Sequence, residues 1–367
     1  WHLAHTTWFF ENFLLVPYLV GYRQFDRRFG YLFNSYYETV GKFHPRAQRG
    51  HLTRPTVEET YQYRAYVDEH MLEMIDANES DLFARVVLGL NHEQQHQELI
   101  LMDIKAIFAA NPLRPVYQPS PARPPAQETE MEWNAHPGGM QMIGSDGSGF
   151  AFDNEQPRHR VYLQPYRLAS RLVTNHEYLQ FVEAGGYQKP QYWLADGWQT
   201  VQAQKWSAPE YWQLVGGEWW AMTLHGLEPV NGNEPVCHVS FYEADAFARW
   251  TGFRLPTEAE WEAAAAQPKF TSGNFFESGW LHPLPARSGC EQLFGDVWQW
   301  TASAYLPYPD FKPLPNALGE YNGKFMCNQM VLRGGSCATP LSHVRASYRN
   351  FFYPADRWQF SGIRLAE

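Results

Sequence analysis

His92 and His96 lie four residues apart in Asn91-His92-Glu93-Gln94-Gln95-His96-Gln97-Glu98. On a helix this spacing sends both imidazoles out from one face, about one turn apart. Two nitrogen donors so placed can hold one metal ion, and a third can come from another helix of a bundle. His5, in Trp1-His2-Leu3-Ala4-His5, is the expected third donor, while His2, three residues earlier, points to a neighbouring face. Three neutral imidazoles with open coordination positions suit zinc, iron or copper alike. Glu93 beside His92 keeps a zinc hydrolase open as well. Spacing does not choose among these metals. A histidine pair at this separation also arises by chance, so its weight depends on the elements around it.

Those elements read as helical. Apolar residues recur at helical spacing in Phe9, Phe10, Phe13 and Leu14, and again in Val86, Val87 and Leu90. A helix is expected over 56–74, with Pro55-Thr56 at its start, and another over 81–110, ending at Asn111-Pro112. Several antiparallel helices make residues 1–111 a helical bundle carrying the histidines. Residues 112–127 hold Pro112, Pro115, Pro119, Pro121, Pro124 and Pro125, a semi-rigid connector and the expected domain boundary. Beyond it, in 128–367, short strand-like pieces such as Arg160-Val161-Tyr162-Leu163 alternate with Gly- and Trp-rich loops. Helices stand out only around 175–184, 242–250 and 258–266. The expected class is therefore α plus α+β, without alternating βαβ units and without an internal repeat.

Composition narrows the function classes. A 44% apolar and 16% aromatic chain of 367 residues is built to pack. Lys+Arg 29 against Asp+Glu 39, a net charge of −10, gives no general attraction for nucleic acid. No apolar run approaches the roughly 18–20 residues that span a bilayer. Cys237, Cys290, Cys327 and Cys337 show no CxxC spacing and fit reduced thiols better than a disulfide framework. A cytoplasmic protein is expected, bound to no nucleic acid or membrane; its oligomeric state is not readable. The chain opens as if inside a helix, so its native N-terminus is expected further upstream.

The second half carries an ordered set of motifs. Gly252-Phe253-Arg254-Leu255-Pro256-Thr257-Glu258-Ala259-Glu260-Trp261-Glu262 is followed by Gly295-Asp296-Val297-Trp298-Gln299-Trp300-Thr301 and Leu332-Arg333-Gly334-Gly335-Ser336. Arg345-Ala346-Ser347-Tyr348-Arg349-Asn350 and Ser361-Gly362-Ile363-Arg364 close the set. Residues 128–367 thereby resemble the formylglycine-generating-enzyme (sulfatase-modifying factor) fold, which is related to C-type lectins. Trp261, Trp298 and Trp300 are expected to fill its core. Formylglycine generation needs a pair of active-site cysteines, and beside Cys337 no convincing partner stands out. Leu3-Ala4-His5 with His92-x-x-x-His96-x-Glu98 resembles the metal motif of a DinB-like bundle. The two domains in this order resemble the sulfoxide synthases of ergothioneine and ovothiol biosynthesis. That resemblance implies Fe(II) on His5, His92 and His96, and O₂-dependent joining of a cysteine sulfur to the imidazole of a histidine betaine (hercynine).

The resemblance also implies substrate contacts. Gln95 and Asn350 match substrate-binding positions, and their amides can hydrogen-bond a carboxylate or imidazole. Phe351 and Phe352 can face a trimethylammonium group. Phe352 stands where relatives using γ-glutamylcysteine carry Asp, which favours free cysteine as donor. Arg46 and Arg49 are candidates for the donor's carboxylate. Some relatives take a phenol from the loop after the Trp-Thr-Ala-Ser block. Here that loop reads Pro313-Leu314-Pro315-Asn316-Ala317-Leu318-Gly319-Glu320-Tyr321, with no tyrosine clearly at the matching place. Tyr36 and Tyr37 are therefore the expected donors. Competing readings are an ovothiol-type synthase acting on histidine, thiol dioxygenation to a sulfinic acid, and a non-catalytic metal-containing binding protein.

Overall fold

The computed structural model describes residues 1–76, 80–121, 129–266, 273–287 and 292–367. They form two units. Unit 1 comprises Trp1–Ile100, Gly147–Asn154 and Lys312–Lys324; unit 2 comprises Leu101–Asp146, Glu155–Phe311 and Phe325–Glu367. Linear boundaries at 111 and 128 carry no sign of the two short later segments that join unit 1.

In unit 1, α1 (His2–Phe10) is buried at every residue from Ala4 to Phe10 and runs into a π-helical turn, Glu11–Leu15. The Glu11 carboxylate lies inside and accepts from the hydroxyls of Tyr22 (2.8 Å) and Tyr63 (2.6 Å) and from the Phe25 N–H (3.1 Å). Three donors offset the cost of burying that charge. A short helix, α2 (Phe29–Phe33), follows. Next, α3 (Val57–Asp76) starts where Thr56 and Glu59 bond each other's backbone N–H, a capping box. Its buried stripe of Tyr63, Val67, Met71 and Met74 follows helical spacing, and α3 packs on α1.

The long helix α4 (Ser80–Ala110) carries the His92/His96 pair. A Cβ on Gly89 would stand 2.6 Å from the Phe10 ring and 3.1 Å from the Phe9 ring. Only glycine lets α1 and α4 approach so closely, and that approach brings His5 to the pair. An ion pair from Arg64 Nη1 to Glu93 Oε1 (2.8 Å) ties α3 to α4 one residue from His92.

Unit 2 is built from small sheets and long irregular segments. Strands β1 (Trp133–His136) and β4 (Tyr166–Ala169) pair antiparallel, as do β2 (Gly139–Ile143) and β3 (His159–Leu163). A three-stranded meander joins β5 (Trp212–Val215), β6 (Glu218–Thr223) and β7 (Gly226–Pro229). The four-stranded sheet runs β10 (Asn350–Phe352), β9 (Met330–Arg333), β8 (Trp298–Ala304), β11 (Ser361–Gly362), with β11 parallel to β8.

Helices α5 (Asn175–Glu183), α7 (Phe241–Thr251) and α8 (Glu258–Ala265) each begin with a capping box, and all three match expected helices. The intervening α6 (Ala195–Gln204) had no strong apolar pattern to announce it. Trp261, Trp298 and Trp300 are at most 1% exposed, and the Trp261 Nε1–H donates to Gln299 Oε1 at 2.8 Å. They fill core, as their type predicts. Cys237 and Cys337 are buried and Cys327 is exposed; Cys290 lies outside the described residues. Of the proline-rich connector, 122–128 also lie outside them, while the Tyr117 and Gln118 N–H groups donate to the Leu224 carbonyl. Among the described residues no helix is long and apolar enough to cross a membrane.

Candidate metal centre

The histidines meet inside unit 1. His5 is fully buried on α1, and His92 and His96 are 3% and 8% exposed on α4. Candidate ligand atoms of the three lie within 4.8 Å of one another. Ring centroids are 5.0 Å apart for His5–His92, 4.7 Å for His5–His96 and 4.6 Å for His92–His96.

Each ring is set by its surroundings. His5 Nδ1 lies 2.6 Å from the Phe33 carbonyl, so it carries the proton there and leaves Nε2 as the lone-pair nitrogen. That Nε2 is buried with no hydrogen-bond partner, as is His92 Nδ1. His96 Nδ1 is 2.7 Å from His2 Nδ1, which fixes the His96 ring from behind. Trp1 stacks on His5 at 4.6 Å, Trp8 also stacks on His5 at 5.7 Å, and Phe9 lies 4.9 Å from His92.

Burial is the main reason these imidazoles stay neutral. It lowers His92 to about 3, and lowers His5 and His96 well below the usual histidine range, with neighbouring histidines adding to the effect. Neutral nitrogen donors, two of them carrying orphaned buried nitrogens, are the donor set of a divalent transition ion. The triad fits a metal.

A tyrosine that the sequence motifs do not single out faces this cluster. Tyr321, from the Lys312–Lys324 segment of unit 1, stands with its ring 5.4 Å from His92, and its hydroxyl donates to Gln95 Oε1. Tyr321 is 3% exposed. Tyr36 and Tyr37 instead stack on each other at 4.6 Å, with Tyr37 packed against Trp8 and Phe13. Burial pushes both of those phenols up. The segment's direction could not be read from its own residues, because the contacts that fold it back come from Glu38, Thr39 and Asp153.

Arg49 lies over the Trp1 ring at 3.8 Å, beside the histidines. Burial and then Arg46 lower it to about 10. Its Nη2 has only long contacts to Ser35, at 3.4 and 3.5 Å, and its Nε is buried without a partner. Such a guanidinium is poised for an anion. Arg46 is exposed.

Of the expected substrate contacts, Gln95 belongs to unit 1. Asn350, Phe351 and Phe352 belong to unit 2, on β10. There Asn350 Oδ1 accepts from the Phe351 N–H (2.9 Å), Phe351 stacks on Tyr305 at 4.1 Å, and Phe352 meets Trp358 edge-on at 5.1 Å. Glu93, the residue that kept a hydrolase open, is held in its ion pair with Arg64.

Comparison with known proteins adds a family. The model of the sulfatase-modifying factor enzyme 1-like domain matches residues 119–283 and 274–367. A hercynine oxygenase of Mycolicibacterium smegmatis is 35% identical over 354 residues, covering 88% of this chain and 81% of that protein. A hercynine oxygenase of Mycobacterium tuberculosis is 34% identical over 353 residues, covering 88% and 81%. A formylglycine-generating enzyme of Streptomyces coelicolor is 30% identical over 256 residues, covering 54% of this chain and 76% of that protein. The mycobacterial matches span both the histidine-bearing half and the second half, and by them the chain belongs to the hercynine oxygenase family, with a sulfatase-modifying factor enzyme 1-like domain in its second half.

Proposed function

We propose that the chain is a sulfoxide synthase of ergothioneine biosynthesis. It would join the sulfur of cysteine to the imidazole of hercynine, the trimethylated histidine, at a mononuclear Fe(II) held by His5, His92 and His96. The observation that carries this is the buried neutral histidine triad beside a phenol, in a chain that aligns along most of its length with hercynine oxygenases. In this reading the helical part of unit 1 is a DinB-like bundle, with 1–111, 112–127 and 128–367 as bundle, connector and second domain.

The atoms balance. The thiol and the imidazole carbon each give up one hydrogen, one oxygen atom of O₂ ends on sulfur, and the other leaves as water. Bound Fe(II) would supply the electron-transfer chemistry that lets O₂ react with a thiolate.

The protein does the rest. Tyr321 would hold a proton at its hydroxyl, at the edge of the cluster, for the oxygen that leaves as water. Gln95 orients that hydroxyl. Tyr321 takes the donor role here, with Tyr36 and Tyr37 as packing beside it. Arg49, short of partners, would take the carboxylate of the thiol donor. Gln95 is assigned to a polar group of hercynine. The rings of Trp1, Trp8 and Phe9 around the histidines keep water out.

The test is mass spectrometry of products after anaerobic Fe(II) loading and admission of O₂. Cysteine or γ-glutamylcysteine would be paired with hercynine or histidine. A cysteine–hercynine sulfoxide as main product supports the proposal. A histidine adduct would move it to the ovothiol type, sulfinic acid without coupling would leave a thiol dioxygenase, and no product at all would leave a binding protein.

A further inference from the structure

The Lys312–Lys324 segment owes its place to a second pair of residues, far from it in sequence. Asp153, 9% exposed, accepts from Asn322 Nδ2 at 2.7 Å through Oδ1 and from the Leu314 N–H at 3.3 Å through Oδ2. One carboxylate thus closes both ends of the 314–322 loop. The preceding residue, Phe152, stacks on the Tyr321 ring, with centroids 5.5 Å apart and planes 15° off parallel. The dipeptide Phe152-Asp153 therefore grips the dipeptide Tyr321-Asn322, ring on ring and carboxylate on amide.

The next residue back is also held. Glu320 accepts from the N–H groups of Glu38 (3.1 Å) and Thr39 (2.9 Å), and Lys324 Nζ donates to the Tyr36 carbonyl at 2.6 Å. Within the loop a Cβ on Gly319 would fall 2.2 Å from the Leu314 carbonyl oxygen, so the closure is tight. Three consecutive residues, Glu320, Tyr321 and Asn322, are each fixed by a different partner. A loop phenol held this way keeps one position relative to His92 and Gln95.

We propose that Asp153, with Phe152, is a positioning residue for Tyr321: the Asp153–Asn322 hydrogen bond sets where the phenol stands against the metal centre. Asp153 touches neither the histidines nor substrate in this proposal and acts only through the loop. The proposal rests on Tyr321 being the proton donor. If the phenol wanders, thiol and O₂ still meet, and the expected leak is the sulfinic acid, in which both oxygen atoms of O₂ end on sulfur and no water leaves.

The experiment compares sulfoxide with sulfinic acid formed by Fe(II)-loaded wild type, Tyr321→Phe, Asn322→Asp, Phe152→Leu and the double variant Asp153→Asn/Asn322→Asp, with iron content measured in each. Asn322→Asp sets two carboxylates face to face. It should lower the sulfoxide-to-sulfinate ratio about tenfold, the scale of one spoiled buried hydrogen bond, at unchanged iron content. The double variant restores the bond with donor and acceptor exchanged. Its amide at position 153 can donate to the carboxylate at position 322 and still accept from the Leu314 N–H, so the ratio should return to near wild type. A purely structural role would lower the yield of folded protein without moving the ratio. Phe152→Leu, which keeps the carboxylate, should fall between and serves if Asn322→Asp does not fold. If Tyr321→Phe shifts the ratio while Asn322→Asp and Phe152→Leu do not, the positioning proposal is overturned and the donor role stands. If Tyr321→Phe leaves the ratio unchanged, the donor role fails and this proposal with it.

Discussion

The Tyr321 hydroxyl donates to Gln95 Oε1 across a sequence separation of 226 residues, and Gln95 is the immediate neighbour of His96. A residue on the helix that carries His92 and His96 thereby holds the phenol whose ring meets His92.

Gln95→Leu removes that acceptor while keeping volume. The phenol loses its anchor, so turnover to sulfoxide should fall by about tenfold, the effect of one lost hydrogen bond to a reacting group. Iron content should be unchanged. Equal turnover to sulfoxide in the variant and the parent would count against any role for the contact.

Arg49→Met removes the guanidinium over Trp1 but keeps an apolar stem. Loss of a charge-assisted contact to the donor's carboxylate costs about 1.5–3 kcal/mol, so KM for the thiol should rise about tenfold or more. KM for hercynine should not follow it. A rise confined to hercynine would assign Arg49 to the other substrate.

Gly89→Ala forces a methyl group into the rings of Phe9 and Phe10. Overpacking of this kind costs about 1–3 kcal/mol, so Tm should drop by several degrees. Iron affinity should drop with it, because the close approach of α1 and α4 sets the distance from His5 to His92 and His96. Thermal melts and iron titrations of the same preparation check both.

Acid should weaken the fold before most carboxylates titrate. Buried His343 in unit 2 bonds Tyr348 at 3.1 Å, and burial, then the Arg345 charge, lowers it to about 3. The unfolded chain takes up that proton below about pH 6.5 and the folded chain does not. Its contribution is therefore fully present above about pH 6.5. It is lost as pH falls towards 3, at up to about 1.4 kcal/mol per pH unit. Denaturant melts of His343→Gln and the parent should diverge less at pH 5 than at pH 7.5.

Much of the histidine cluster was legible because its two strongest members sit on one helix, where i and i+4 spacing alone fixes the shared face. His5 was legible as the third member of the cluster because α1 carries its own helical pattern. The helices α5, α7 and α8 were legible for the same reason, and their capping boxes lie in the sequence as Thr174/Glu177, Ser240/Glu243 and Thr257/Glu260. Tyr321 was not, since nothing in 312–324 encodes its return to unit 1. That return depends on Asp153 and on backbone N–H groups of Glu38 and Thr39, which have no sequence signature. Tyr36 and Tyr37 were candidates by type, and the Tyr37 ring lies against Trp8 and Phe13.

Iron binding itself is the most direct test. Anaerobic Fe(II) titration of the metal-free protein should give one iron per chain for the wild type. Replacement of His5, His92 or His96 by Ala should abolish tight binding while far-UV circular dichroism stays native. Stoichiometric Fe(II) in the His92→Ala/His96→Ala protein, or sulfoxide formed by wild type free of iron, would contradict the assignment of these three histidines.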